Sequence, residues 1–414
     1  MIYDSFVDYY TTGTFQGFFT SPDLFIYLLS ESTNLIFCCL VVALFFFAKK
    51  LSLNELFFWI FLFILAFLIN IVVNYNPSYF PDVGGYLRCI RDLRDNFQMD
   101  EEGCQIIVSG SSSQGGLSIP SIKRGLPAII FTFIPMPSIA TYSAIGMINK
   151  MLAFFVYLFL KPLLKNKDNV LLLCLIFLLP TFLLYSSIGL RDNLIFVVMI
   201  FLLFFLLENK FLLSTISLLI LMGIKSQNGV IFIIPYIGVF IFGANKSMKG
   251  FLALAAFTLI GLLLIQDTVV STINFFVLAL VMENQGTEVL KSIDPYNSIF
   301  SILLYAPLEF LIGLVRPMPN SAFAAVFFLD SLVQLFLIAY LVSTNRETLF
   351  KSPEFFLVLM TFFMGLVLNS MVIDNDNTFI RYKYTFYYCF LIYLISVNKT
   401  KIPWFNKLLN RHEK

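Results

Sequence analysis

Tyr185-Ser186-Ser187-Ile188-Gly189-Leu190-Arg191-Asp192-Asn193 is a small polar hinge between two apolar runs, 170–184 and 194–207. Runs of that composition cross a bilayer as helices, so the hinge puts Arg191 and Asp192 where two membrane-crossing helices turn, close to the edge of the hydrocarbon. An ionisable pair at such a place is a functional hypothesis by default. The same pair also has a plain structural use, ending one helix and starting the next with Asp192 or Asn193 as N-cap. What separates the two readings is whether other charges gather on the same side of the membrane.

The rest of the chain sets that context. Of 414 residues 59% are hydrophobic and 13% charged, and 50 are phenylalanine, which excludes an ordinary soluble domain. Apolar runs recur through nearly the whole length, with no polar region long enough to fold separately, so residues 1–414 read as one all-α, multi-pass membrane domain. The short alternating segments of a membrane barrel are absent. The net charge of +2 gives no reason to expect nucleic acid. Residues 1–23 carry Asp4, Asp8 and Asp23 and no basic residue, so no cleavable signal peptide is expected. The only histidine is His412, and with no clustered His or Cys no metal or other cofactor is expected. Cys38, Cys39, Cys174 and Cys389 lie in apolar runs, whereas Cys89 and Cys104 share the one long polar loop and can pair if it faces an oxidising compartment.

Placement of Lys and Arg orients the chain. Lys49 and Lys50 close the first apolar segment, and basic residues follow later ones at Lys161, Lys165, Lys167, Lys210, Lys246, Lys249, Arg346, Lys351 and the tail from Lys399. The positive-inside rule puts all of these in the cytoplasm if each intervening run crosses once, giving about twelve crossings at ~20 residues each. The N-terminus and the 75–125 loop then lie outside. Within that loop Gly85–Phe97 reads as an amphipathic helix, with Tyr86, Ile90, Leu93 and Phe97 on one face and Arg88, Arg91 and Asp95 on another. Two runs are ambiguous. Leu126–Met136, with Pro127, Pro135 and Pro137, is too short to span and fits a re-entrant segment or part of a broken helix, and Ser271–Met282 is also short, with Asn297–Val315 either pairing with it as a hairpin or lying in the outer interface.

This topology collects Asp82, Tyr86, Arg88, Arg91, Arg94, Arg191, Asp192, Lys225, Gln227, Arg316, Arg381 and Lys383 on the outer face, from segments far apart in sequence. Arginine stays charged and presents a fork of donors suited to phosphate. A cluster of them at one membrane face fits an anionic group at the lipid–water boundary, such as a lipid diphosphate. Each also has a structural alternative: Arg88 with Asp92 and Arg91 with Asp95 are i,i+4 pairs, Lys225 can cap its helix, and Arg381 and Lys383 can snorkel. Arg316, in Val315-Arg316-Pro317-Met318-Pro319, is held by a rigid proline turn. For general-base work the carboxylates near this surface are Asp82, Asp192 and, less readily, Glu309.

The order of Asp82-Val83-Gly84-Gly85-Tyr86, then Ser187-Ile188-Gly189-Leu190-Arg191-Asp192-Asn193, then a polar turn one hairpin later, then Arg381-Tyr382-Lys383-Tyr384 resembles Wzy-type and EpsG-like polysaccharide repeat-unit polymerases. The resemblance implies a GT-C-like polymerase/ligase bundle in the bacterial inner membrane, its active site facing the periplasm. It further implies an enzyme that joins undecaprenyl-diphosphate-linked oligosaccharides, donor and acceptor, into O-antigen or capsular polysaccharide, with a chain-length regulator protein as a partner. Carried over, Arg191 is a diphosphate-binding or transition-state arginine, Arg381 a second, and Asp82 and Tyr86 contact sugar or acceptor. Many relatives carry a histidine in the turn after the Ser/Arg helix; here Lys225-Ser226-Gln227-Asn228 stands, which argues against a histidine mechanism and an O-antigen ligase. Two other classes remain open. A polyprenyl-phosphate-dependent glycosyltransferase would show an acidic pair in the first outer loop, for which Asp100-Glu101-Glu102 is a weak candidate, and a flippase is best supported by Asp330 inside an apolar run.

Overall fold

The computed structural model describes residues 22–75, 86, 89, 90, 93, 125–137, 142–164, 166–285, 296–373 and 376–398. Among them every regular element is helical: α1 Pro22–Phe47, α2 Leu53–Tyr75, α3 Gly125–Phe133, α4 Tyr142–Leu160, α5 Lys167–Phe177, α6 Pro180–Tyr185, α7 Asp192–Leu207, α8 Phe211–Ile224, α9 Ser226–Phe240, α10 Met248–Leu264, α11 Gln266–Gln285, α12 Ile299–Val315, α13 Ala322–Thr344, α14 Arg346–Leu349, α15 Pro353–Val372 and α16 Asp376–Val397. Four stretches, 53–70, 144–163, 322–344 and 353–372, are long and apolar enough to cross a membrane, and α10 with the start of α11 makes a fifth if that pair, bent by 77°, is one span. Several helices could thus span a membrane, as a multi-pass membrane protein requires. Four further apolar helices among the described residues, α7, α8, α9 and α12, have only 14 to 17 residues. At 1.5 Å per residue the shortest, α8, reaches about 21 Å against a hydrocarbon core of about 30 Å.

Proline explains two of the breaks. The run 170–184 expected as one span is divided into α5 and α6 at Pro180, which has no N–H to continue the ladder. The run 126–136 yields the nine-residue α3, stopping before Pro135. The run expected at 271–282 is longer, because α11 already starts at Gln266 behind the bend.

The chain divides into two compact units. The first holds the described residues up to Leu160 together with Phe182–Val197. Its core is α1, α2 and α4 packed on one another. Ser52 and Glu55 start α2 as a capping pair: the Ser52 N–H donates to Glu55 Oε2 at 2.6 Å, and the Glu55 N–H reaches Ser52 Oγ at 3.4 Å. The other Glu55 oxygen accepts from the Tyr157 hydroxyl of α4. Trp59 packs edge-on against Phe154 with ring centroids 5.0 Å apart, and all three of Trp59, Phe154 and Tyr157 are fully buried. Of the loop helix expected at 85–97, Tyr86, Cys89, Ile90 and Leu93 are described and helical, with the first three buried. Cys89 is disulfide-bonded; Cys104, its expected partner, lies outside the described residues.

The second unit holds Lys161–Thr181 and the described residues from Val198 onward. Helices α15 and α16 form its centre, with α15 packed on α9, α11, α12 and α16, and α16 on α13 and α5. The last helix reads from its sequence as a span opened by Arg381 and Lys383. Here it is a core helix with Tyr384, Tyr387, Tyr388 and Tyr393 fully buried. Gly365 makes this packing close: a Cβ there would collide with the Phe386 ring. One turn away, Phe362 stacks on Phe390 at 4.5 Å between centroids.

Candidate functional site

The hinge is fully buried from Tyr185 to Leu190. Its backbone turns too tightly to satisfy itself, and three side chains from elsewhere in the first unit supply donors. Asn70 Nδ2 on α2 donates to the Ser187 carbonyl at 2.7 Å and to Ala66 O at 2.8 Å. Asn149 Nδ2 on α4 donates to the carbonyls of Ile188 at 2.6 Å and Leu190 at 2.7 Å. Lys150 Nζ donates to Ser186 Oγ at 2.6 Å, and that hydroxyl donates onward to Phe182 O at 2.6 Å. Asn193 Nδ2 closes the arrangement on the Asn149 carbonyl at 2.7 Å. Buried carbonyls without such donors would each cost about 1–3 kcal/mol.

The hinge delivers Arg191 and Asp192 to the start of α7. The Ile195 N–H donates to the Arg191 carbonyl at 2.9 Å, so Arg191 stands at the N-cap position and Asp192 is the first acidic residue of the helix. A negative charge there suits the helix dipole. Arg191 is half-buried and Asp192 buried. Gly146 on α4 permits the close approach, since a Cβ there would overlap the Ser187 carbonyl and the Asn70 amide.

Lys150 is the residue that sequence reasoning missed. It is fully buried, has one hydrogen bond, and lies 5.9 Å from the Phe182 ring centroid, with no carboxylate beside it among the described residues. Asn149 Oδ1, equally buried, has no hydrogen-bond partner among the described residues. The signal was available in the sequence: Asn149-Lys150 interrupts an otherwise apolar span.

In the second unit the expected residues gather at the end of α12. Arg316 pairs with Asp376 through Nε at 2.5 Å and donates from Nη1 to the Ile373 carbonyl at 2.6 Å. Its guanidinium lies 4.8 Å from the Phe379 ring, and the Arg316–Pro317 peptide is cis. Lys383 is buried and donates to the carbonyls of Leu314 at 2.7 Å and Arg316 at 2.9 Å and to Ser331 Oγ at 2.9 Å. A cation at a helix C-terminus is the favourable sign for the dipole. Asp330 uses Oδ2 to accept from the Thr181 N–H at 2.9 Å, the Thr181 hydroxyl and Gln334 Nε2 at 2.9 Å, which makes it the cap of α6.

The remaining expected residues are placed separately. Lys225, buried at the turn between α8 and α9, sits over the Tyr382 ring 2.8 Å from its centroid. Gln227 is exposed, and Arg381 is half-buried on the second turn of α16. Glu309 accepts from Ser370 Oγ at 2.7 Å. Tyr86 is buried against Phe131 at 6.4 Å. Asp82, Arg88 and Arg91 lie outside the described residues. Among the described residues no three His, Cys, Asp or Glu side chains come together as a metal site.

No family model matches the chain, and no curated protein or solved structure is significantly similar to it.

Proposed function

We propose that this chain is a GT-C-like membrane glycosyltransferase of about twelve crossings, ~20 residues each, that polymerises undecaprenyl-diphosphate-linked repeat units at the periplasmic face of the inner membrane. The observation that supports it is the hinge: an arginine and an aspartate delivered to a helix start by a buried turn whose carbonyls are clamped by two asparagines and whose Ser186 hydroxyl is held by a lysine. Membrane bundles do not place such irregular backbone at random; it is tolerated where it is enclosed by protein or lines a cavity.

On this reading the acceptor sugar hydroxyl attacks the anomeric carbon of the growing glycan. A C–O bond forms there as the bond to the diphosphate oxygen breaks, and the hydroxyl proton passes to a carboxylate, Asp82 or Asp192. Two lipid substrates bring two diphosphates, and Arg191 and Arg381 are the arginines assigned to them. Charge developing on the leaving diphosphate is stabilised by guanidinium donors fixed in advance, the kind of electrostatic contribution that dominates many enzymes.

The test is glycan length in cells lacking the gene and complemented with wild type, Arg191→Ala or Arg381→Ala, on a gel that resolves repeat number. A wild-type ladder that collapses to single repeats with either variant at equal protein level supports the polymerase. Single repeats that never reach the outer face without the gene would instead favour a flippase. An unchanged ladder with both variants would end the arginine assignment.

A further inference from the structure

We propose that Asn70, Asn149 and Lys150 are positioning residues that set where Arg191 stands; this rests on Arg191 having the diphosphate role given above. Each acts on the hinge and none is part of it. Asn70 holds the Ser187 carbonyl, Asn149 those of Ile188 and Leu190, and Lys150 the Ser186 hydroxyl, so four of the five residues before Arg191 are fixed from outside. The donors come from two helices, α2 and α4, that pack on each other and share a buried aromatic core. The frame that carries the clamps is thus well packed, whereas the hinge's own backbone bonds are all short-range: Ser186 N to Phe182 O, Ser187 N to Leu184 O, Ile188 N to Leu184 O and Leu190 N to Ile188 O.

Chemistry makes these residue types specific to the task. Both amide hydrogens of Asn70 and both of Asn149 end on carbonyl oxygens. Aspartate has the same shape but no donor, and its charge would repel the carbonyls it replaces a bond to. Asn193 returns a bond from the far side of Arg191 to the Asn149 carbonyl, so the clamp spans the arginine rather than stopping short of it. A misplacement of about 1 Å at a reacting group costs on the order of a hundredfold in rate, which is why a residue that touches no substrate can matter to catalysis.

The experiment uses full-length protein in nanodiscs and two readouts: backbone hydrogen exchange along the chain, and affinity for undecaprenyl diphosphate as the probe. Asn149→Asp, Asn70→Asp and Lys150→Met are each compared in the wild-type and the Arg191→Ala backgrounds. Faster exchange confined to 183–195, with about tenfold weaker diphosphate binding that adds nothing once Arg191 is gone, is the expected result. Using three variants guards against one that fails to fold. The proposal is overturned if exchange rises throughout the unit, if it does not rise in 183–195, or if the affinity losses add to that of Arg191→Ala. Should wild type bind no diphosphate while exchange in 183–195 responds as expected, the clamp stands and the polymerase reading falls.

Discussion

Lys150 and Lys383 are both buried lysines in helices, one in each unit, and they are held in opposite ways. Lys383 gives its three N–H bonds to two helix-end carbonyls and a hydroxyl, and the Asp330 carboxylate is near enough to act on it electrostatically. Lys150 has a serine hydroxyl and an aromatic ring. A fully hydrogen-bonded cation that closes a helix end is a building element: remove it and carbonyls and a carboxylate are left facing each other. A buried cation with one neutral partner adds little to stability, because desolvation opposes whatever that bond contributes. Its presence is better explained by what it holds, the hinge that carries Arg191.

The largest expected effect comes from exchanging each lysine for methionine. Lys383→Met should cost about 3–5 kcal/mol, the usual result of removing one partner of a buried charged network. Lys150→Met should change stability by less than about 1 kcal/mol in either direction. Thermal unfolding in detergent reads both; equal losses would end the contrast. Gly146→Ala tests the hinge's frame: a methyl driven into the Ser187 carbonyl should cost about 1–3 kcal/mol and loosen the 183–195 backbone, seen as faster hydrogen exchange there than elsewhere. Asp330→Ala, which removes the cap of α6, should cost about 0.5–2 kcal/mol. Combined with Lys383→Met it should cost less than the two separate losses added together, because the two charges interact; strict additivity would place Lys383's stability in its carbonyl contacts alone.

Much of the fold was legible because apolar runs and their breakers act locally. The capping pair Ser52/Glu55, the stop before Pro135 and the turn at Arg316 follow from residues within a few positions of each other. The break at Pro180 was equally local but hidden by the strong hydrophobicity around it. What hydropathy does not encode is which apolar helix is surrounded by other helices. The last helix owes its core position to four tyrosines whose rings pack against neighbours distant in sequence. At the candidate site the hinge and its ionisable pair were readable, since polar residues between two spans stand out. The clamp was not, because Asn70 and Asn149 become donors only when α2 and α4 meet the hinge, 117 and 39 residues away for their first contacts. Arg316 and Lys383 were readable as cations, but their engagement with Asp376 and with the end of α12 depends on helix packing.

The Asp330 cap has a consequence for how the chain is made. Thr181 waits for a carboxylate 149 residues downstream. At about 5–20 residues per second, that is roughly 7 to 30 seconds between the emergence of α6 and the arrival of its cap. During that interval the first turn of α6 has N–H groups that lipid cannot satisfy. The hinge itself needs no such wait, since Asn70, Asn149 and Lys150 all precede it in the chain.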